Sequence, residues 1–198
     1  MHANSQLLFT RYVKPLLQPG MRVLEIGPDG FPSTYRKLVD VRDLEWETVD
    51  IAARDGITYT ATDEYNFPID DGRFDVVLSG QVLEHVRKVW LWIQEVARVT
   101  RPGGRVATIS PVTWPYHEAP IDCWRIYPEG MRALYDEGGL VVEHCDWESL
   151  EPKGLLPRIT RGPDDRSQGL LFKLARFSRY PLQRSFDTVT IGRKPEQA

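Results

Sequence analysis

Short apolar runs alternate along this chain with segments in which apolar residues recur at helical spacing. The runs have the composition and length of buried strands. They cover residues 21–26, 46–51, 57–61, 74–79, 105–110 and 140–147. The segments that we predict to be helical are 4–18, 33–39, 86–100 and 128–138. Because strands and helices alternate, we expect an α/β fold with a Rossmann-like, doubly wound sheet that is mostly parallel.

Turn-forming and polar residues indicate how the chain is divided. We expect a single domain over residues 1–198, with an N-terminal helix that covers a sheet edge. A core at 20–110 is followed by a loop at 111–127 that contains several prolines and two tryptophans. The segment 148–184 is a long insert with Pro, Gly and basic residues. Such an insert could be a lid, a dimer arm or a partly disordered segment, and the sequence does not distinguish these alternatives. Alternation over 186–192 predicts an antiparallel last strand at the sheet edge.

The first strand runs into a glycine-containing turn. Gly27 and Gly30 lack a Cβ, so backbone N–H groups there can approach a ligand closely. Glu25 is a carboxylate inside an apolar strand, where a charge is costly without a partner or a role. It either orients the turn or a ligand amino group, or accepts from backbone N–H groups. Asp50 closes the second strand about 20 residues later, where Rossmann-type sheets place an acid against ribose hydroxyls. This layout predicts a nucleoside site.

The order of several motifs is more specific than any one of them. After the turn and Asp50 come Phe74-Asp75-Val76-Val77-Leu78-Ser79, Leu83-Glu84-His85-Val86 and Arg101-Pro102-Gly103-Gly104-Arg105. The series resembles class I S-adenosylmethionine-dependent methyltransferases, especially their type 11 branch, over residues 20–147. One departure is that Asp29 interrupts the Gly-x-Gly turn usual in that family.

The resemblance implies that S-adenosylmethionine is the cofactor. The backbone at Gly27 and Gly30 would run close to the methionine part of the cofactor, and Asp50 would accept hydrogen bonds from the ribose hydroxyls. Ile51 would pack on the adenine, and Asp63 would accept from its amino group. The other cofactor-binding residues that we expect are Glu25, Glu64, Ser79 and Gln81.

The loop after the fifth strand carries aromatic and charged side chains, a composition typical of binding rather than of a core. Similar loops occur in small methyltransferases encoded beside glycan-building enzymes, where the loop lies over the sulfonium. Aromatic faces can stack on sugar rings, and carboxylates and guanidinium groups can pair with sugar hydroxyls. We expect a small-molecule or oligosaccharide acceptor to bind at Tyr116, His117, Glu118, Trp124 and Arg125.

A sugar hydroxyl needs a general base or a metal to react near neutral pH. His85 follows the fourth strand and is a candidate base, with a structural role at a helix start as its alternative. Asp122 is a candidate for base, for orienting the base, or for holding an optional Mg²⁺ with Glu118, since hard oxygen ligands suit that ion. His144 is a third candidate, and a buried, satisfied histidine fits its position equally well.

Composition limits the classes of partner. The net charge of −3 gives no sign of a nucleic-acid-binding surface. No apolar run reaches the ~18 residues of a membrane helix, and the first residues lack a signal-peptide pattern. Two cysteines make neither a disulfide scaffold nor a metal motif. We expect a cytoplasmic protein without nucleic-acid or membrane partners, and the sequence leaves a homodimer open.

Three functions stay open on the sequence. The favoured one is O-methylation of a sugar hydroxyl in a glycan or oligosaccharide precursor. The second is methylation of a phenol or another small metabolite. The third is a methyltransferase-like binding or dimerisation protein without turnover, which Asp29 in the turn keeps open.

Overall fold

The computed structural model of the protein describes residues 2–118, 120–151 and 185–196. The strands are β1 (Arg22–Ile26), β2 (Glu45–Asp50), β3 (Tyr59–Thr60), β4 (Phe74–Gly80), β5 (Thr100–Pro111), β6 (Val141–Glu148) and β7 (Asp187–Arg193). The helices are α1 (Ala3–Leu8), α2 (Thr34–Lys37), α3 (Val89–Val99) and α4 (Pro128–Glu137). A π-helical turn (Phe9–Val13) and a 3₁₀ turn (Lys14–Leu16) continue α1, and another 3₁₀ turn covers Leu83–His85.

These strands form one sheet in the order β3-β2-β1-β4-β5-β7-β6. β1 pairs in parallel with both β2 and β4, and β4 pairs in parallel with β5. β7 runs antiparallel to its two neighbours, β5 and β6. Since the chain changes its direction of winding between β1 and β4, their carboxyl ends border the crevice in which open α/β sheets bind ligands. The prediction of a mostly parallel, doubly wound α/β sheet with an antiparallel last strand is confirmed.

Two buried layers cover the sheet because successive strand residues point to opposite faces. Val23 and Val76 belong to the core layer shared with α1, its continuation and α2. Their neighbours Leu24 and Val77 belong to the layer shared with α3 and α4, in which Trp92 is 1% exposed. The alternating apolar pattern therefore places helices on both faces.

The predicted position of the last strand is wrong. β7 lies between β5 and β6, and its residues up to Gly192 are buried, so β6 is the edge strand. The threonines of β7 find partners inside the protein. Thr188 Oγ1 donates to the Ile126 carbonyl at 2.8 Å, and Thr190 Oγ1 lies 3.3 Å from Cys145 Sγ. Satisfied hydroxyls allow both faces of an alternating strand to be buried.

The N-terminal helix covers a face of the sheet and not its edge. Phe9 is fully buried and stacks on Tyr35 with ring centroids 4.5 Å apart. Among the described helices, none combines the length and apolarity needed to cross a bilayer. Residues 152–184 of the expected insert lie outside the described residues.

Candidate functional site

The turn after β1 requires glycine at one position. Gly27 has φ +63°, and a Cβ there would lie 2.6 Å from Cγ2 of Val82. Its N–H donates to the Val49 carbonyl at 2.9 Å, which fixes the turn against the end of β2. At Gly30 an added Cβ would meet nothing closer than the Pro32 carbonyl at 3.9 Å. Packing against Val82 and the positive φ therefore require glycine at position 27 but not at position 30, and the ligand approach predicted for both glycines stays a prediction.

Glu25 lies at the base of this turn and is held there by hydrogen bonds. It is 1% exposed, and its Oε2 accepts from Ser33 Oγ at 2.5 Å and from Trp46 Nε1 at 2.9 Å. Ser33 Oγ in turn accepts from the Arg36 N–H and caps the start of α2. Burial raises the pKa of Glu25 to about 7, against the lowering effect of the two side-chain donors. The carboxyl thus links β1, β2 and α2, in agreement with its predicted role as an orienter of the turn.

Asp29 also faces away from the ligand side. Its two carboxylate oxygens accept from the backbone N–H of Thr34 at 2.8 Å and from Thr34 Oγ1 at 2.6 Å. Burial alone would raise the pKa of Asp29, but these hydrogen bonds lower it. The residue that departs from the Gly-x-Gly pattern therefore stabilises the start of α2.

A cavity of about 490 Å³ opens at the carboxyl ends of β1, β2 and β4. Its volume lies within the ~300–1,000 Å³ typical of small-molecule sites. The predicted site residues that line it are Gly27, Asp50, Ile51, Glu64, Gln81 and His85. Lining residues that the sequence reasoning did not select include Ala61, Phe67, Val82, Val86, Trp92 and Pro120. Most of these are apolar and looked like ordinary core residues in the sequence.

Four predicted cofactor residues do not line this cavity. Glu25 and Gly30 have the positions given above. Asp63 Oδ1 accepts from the Tyr65 N–H at 2.7 Å, so it closes a local turn instead of facing the cavity. Ser79 is 3% exposed within β4. The adenine contact predicted for Asp63 stays a prediction, and the neighbouring Glu64 is the acid that lines the cavity.

Asp50 is engaged on both oxygens at the cavity rim. Oδ1 accepts from the Ala52 N–H at 3.0 Å, and Oδ2 pairs with Nη2 of Arg54. The same Nη2 donates to the Pro28 carbonyl at 3.0 Å, and the guanidinium lies 5.8 Å from the centroid of the Phe31 ring. Arg54 thus connects the end of β2 to the glycine turn. Sequence reasoning missed it because its contact with the Pro28 carbonyl, 26 residues away in the chain, depends on the tertiary fold.

His85 lies where the turn after β4 meets the loop after β5. Its Nδ1 contacts the carbonyl oxygen of Ile121. The Cys123 N–H donates to the Glu84 carbonyl at 2.7 Å, and Trp124 Nε1 donates to the Val86 carbonyl at 2.8 Å. These bonds attach the predicted acceptor loop to the turn that carries His85.

A second cavity of about 240 Å³ lies within this loop. It is lined by three of the predicted acceptor-binding residues, Tyr116, Trp124 and Arg125, and by Asp122. Trp114 and Cys123 complete the lining, and sequence reasoning did not select them. The aromatic faces and the charged groups are therefore brought together as predicted.

Asp122 is paired with Arg125 and does not reach His85 directly. Its two oxygens face the two terminal nitrogens of the Arg125 guanidinium, with Oδ2 2.6 Å from Nη2. Arg125 lowers the pKa of Asp122 to about 2, so this carboxylate is a poor proton acceptor. Of the roles predicted for Asp122, this geometry favours orienting the base over acting as the base.

The remaining predicted residues fall in different places. His117 stands edge-on to His85, with ring centroids 5.1 Å apart, and its Nδ1 is 3.4 Å from Asp122 Oδ2. Glu118 accepts from Tyr116 OH at 2.7 Å. His144 stacks on Tyr12 at 4.4 Å, on edge strand β6, and lines neither cavity. Its position does not support a role as base.

The expected Mg²⁺ ligands do not form a metal site. Asp122 is bound to Arg125, and Glu118 to a tyrosine hydroxyl. In the described parts of the chain, no group of three His, Cys, Asp or Glu side chains is placed to hold a metal ion. These residues therefore do not fit Mg²⁺.

The N-terminal segment reaches the same region, which the sequence did not indicate. His2 Nε2 lies 3.1 Å from Gln81 Oε1 and 3.1 Å from Oδ1 of the fully buried Asp187. The His2 ring stacks on Trp114 with centroids 5.0 Å apart. Gln81 has φ +60°, a backbone conformation that is uncommon outside glycine. The start of the chain therefore joins the cavity rim to the acceptor loop.

Comparisons with known proteins agree with this geometry. Residues 37–108 match a family model described as a methyltransferase domain. An uncharacterized methyltransferase of Mycobacterium sp. (strain JLS) is 35% identical over 104 residues, which are 48% of this chain and 40% of the relative. A demethylmenaquinone methyltransferase of Beutenbergia cavernae is 33% identical over 111 residues, which are 52% of this chain and 46% of the relative. The chain spans less than half the length of these relatives.

Solved structures show the same fold at low identity. A SAM-dependent methyltransferase from Archaeoglobus fulgidus has a TM-score of 0.64 at 16% identity, covering 96% of this chain and 92% of its own. The Haemonchus contortus phosphoethanolamine N-methyltransferase 2, solved with S-adenosylhomocysteine, has a TM-score of 0.59 at 16% identity. That alignment covers 98% of this chain and 53% of the larger enzyme. The Rossmann-like methyltransferase architecture is therefore the fold of this chain.

Proposed function

We propose that this protein is an S-adenosylmethionine-dependent methyltransferase. The observation that supports it most is the cavity at the carboxyl ends of β1, β2 and β4, which is lined by both the glycine turn at Gly27 and the Asp50 carboxylate. The match to a methyltransferase domain and the names of the relatives point to the same activity.

The residues of the cavity fit this cofactor. Asp50 stands at the end of β2 as an acceptor for a ribose diol, and Ile51 and Phe67 offer apolar surface for a purine. Gly27 lines the same cavity, and its backbone would contact the amino-acid part. Gln81 and His85 line the part of the cavity next to the acceptor loop. Cofactor and acceptor would therefore meet beside His85.

For the acceptor, we propose a sugar hydroxyl of a glycan or oligosaccharide precursor. The second cavity presents Trp114, Tyr116 and Trp124 together with the paired charges of Asp122 and Arg125. Aromatic faces that stack on pyranose rings, beside fixed donors and acceptors for hydroxyls, suit a neutral polyol. They suit an anionic or purely apolar acceptor less well.

His85 is the residue that we propose as general base. The Ile121 carbonyl can only accept, so Nδ1 of a neutral His85 carries its proton and Nε2 is left with a free lone pair. When S-adenosylmethionine is bound, the acceptor oxygen forms a bond to its methyl carbon, the S–CH₃ bond leaves its electron pair on sulfur, and His85 Nε2 takes the hydroxyl proton. Asp122, held by Arg125, positions His117 and the loop around the acceptor.

Transfer of labelled methyl groups to a panel of acceptors tests the proposal. The panel contains mono- and oligosaccharides, including a mannoside with a free 1-hydroxyl as used in mycobacterial methylmannose polysaccharide assembly, and a set of phenols. His85→Ala should lower kcat by about 10²–10⁴-fold, the usual size of general-base catalysis, with cofactor affinity retained. His144→Ala is the matched control and should keep wild-type turnover. Cofactor binding without transfer to any acceptor would favour the binding-protein alternative.

Methylation of an aromatic small metabolite is the second candidate. It is favoured by the relative named as a demethylmenaquinone methyltransferase. Phenols that are methylated faster than any saccharide in the same panel would establish it and would refute the sugar proposal.

A further inference from the structure

Glu84 carries a buried carboxyl directly beside the proposed general base. It belongs to the 3₁₀ turn Leu83–His85 and is 1% exposed. Its Oε2 is fully buried and has no hydrogen-bond partner among the residues that the structure describes. An unpartnered buried carboxyl is costly, so a structure that keeps one needs a reason for it.

The nearest functional group is the free nitrogen of His85. Glu84 Oε1 lies 3.8 Å from His85 Nε2, the atom that the Ile121 contact leaves without a proton. The backbone carbonyl of Glu84 also accepts from Cys123 in the acceptor loop at 2.7 Å. Glu84 is therefore next to the atom that would take a proton and is attached to the loop that would hold the acceptor.

We propose that Glu84 is a positioning residue that acts through His85: its carboxylate stabilises the positive charge that forms when His85 Nε2 takes the acceptor's proton. The proposal rests on the methyl-transfer function proposed above. An opposite charge about 4 Å away stabilises an imidazolium strongly in a water-poor site. The 3.8 Å separation is slightly longer than a hydrogen bond, so neutral His85 stays free to accept from the substrate.

The surroundings of Glu84 make the charge on its carboxyl group sensitive to pH. Burial raises the pKa of Glu84 to about 8. Besides His85, the charged or titratable groups that face it come from the acceptor loop, β7 and α2. They are Arg125, Asp122, Asp187 and Tyr35. Arg125 favours the carboxylate, whereas Asp122 and Asp187 oppose it. We therefore expect the share of enzyme with an ionised Glu84, and with it kcat, to rise towards pH 8.

Nuclear magnetic resonance tests the coupling without cofactor or acceptor. The chain has four histidines, so the imidazole nitrogens of the ¹⁵N-histidine-labelled protein can be assigned with single variants. The ¹³Cδ resonance of Glu84 should titrate at about pH 8, and the Nε2 resonance of His85 should shift in the same step. In Glu84→Gln, which keeps the size of the side chain, that step should disappear from His85. A His85 resonance that is the same in both proteins would overturn the proposal.

Kinetics gives the second readout. On the best acceptor from the panel, Glu84→Gln should lower kcat about 10–100-fold, the range found when the carboxylate partner of a metal-bound histidine is removed. It should also lose the rise towards pH 8, while KM for S-adenosylmethionine stays within about twofold. Glu84→Asp should recover part of kcat, and Glu129→Gln, whose side chain is 91% exposed, should behave as wild type. Wild-type kcat and pH profile in Glu84→Gln would refute the role of Glu84.

The two proposals fail differently. If the wild type transfers no methyl group to any acceptor, the proposed function fails, and the resonance measurement still decides whether Glu84 and His85 are coupled. If the wild type is active and Glu84→Gln is unaffected, only the role of Glu84 fails.

Discussion

Asp50 and Arg54 should affect cofactor binding in opposite directions. Asp50 is expected to accept from the ribose, but here its Oδ2 is paired with Arg54. Removing the carboxylate in Asp50→Ala leaves the ribose hydroxyls without a hydrogen-bond acceptor, which costs about 1–3 kcal/mol of binding free energy. We therefore expect the Kd for S-adenosylmethionine to rise about 5- to 150-fold.

Arg54→Ala should have a small effect of the opposite sign. The side chains of Arg54 and Asp50 are 43% and 15% exposed, and partly exposed ion pairs of this kind are worth about 0.2–1 kcal/mol. Without Arg54, the carboxylate no longer has to leave this pair to bind the ribose. Affinity should therefore stay the same or improve by up to about fivefold.

Isothermal titration calorimetry with S-adenosylmethionine measures both effects. Arg22→Ala is the matched control, because Arg22 pairs with Glu45 at 2.8 Å at the opposite ends of β1 and β2. It should leave Kd unchanged. Equal affinity of Asp50→Ala and wild type would refute the ribose assignment. A loss in Arg54→Ala as large as that in Asp50→Ala would show that Arg54 contacts the cofactor directly.

Two further predictions concern β1. Gly27→Ala should lower the free energy of unfolding by about 1–3 kcal/mol, because φ is positive and the new Cβ would lie 2.6 Å from Val82 Cγ2. The same change should weaken cofactor binding. Adding Val82→Ala should restore part of the stability in urea titrations; no recovery would show that contact with Val82 is not the cause. Burial raises the pKa of Glu25 in the folded state from 4.5 to about 7. The free energy of unfolding of the wild type should therefore fall as the pH rises through this range, because the buried carboxyl must ionise. Relative to Glu25→Gln, the loss should be about 3 kcal/mol. Urea titrations at pH 5 and pH 8 measure it, and a difference between the two proteins that does not change with pH would contradict the assignment.

The sequence predicted those parts of the site that depend on neighbours along the chain. Gly27 and Gln81 follow directly on a strand whose apolar pattern is visible in the sequence, and Asp50 is the last residue of one. Parallel strands end at the same edge of a sheet, so residues just after them meet there whatever the details of packing. The same reasoning placed His85 beside the acceptor loop, and the structure brings the two together.

Only the tertiary structure decided where strands and polar side chains find their partners. β7 has an alternating pattern that also fits an edge strand, and its place between β5 and β6 depends on hydrogen bonds to residues far away in the chain. Trp46 on Glu25 and His2 beside Asp187 are choices among many possible partners. Apolar periodicity determines which face of an element is buried, but the partner of a charged group depends on distance and burial. Those two quantities exist only once the chain has folded.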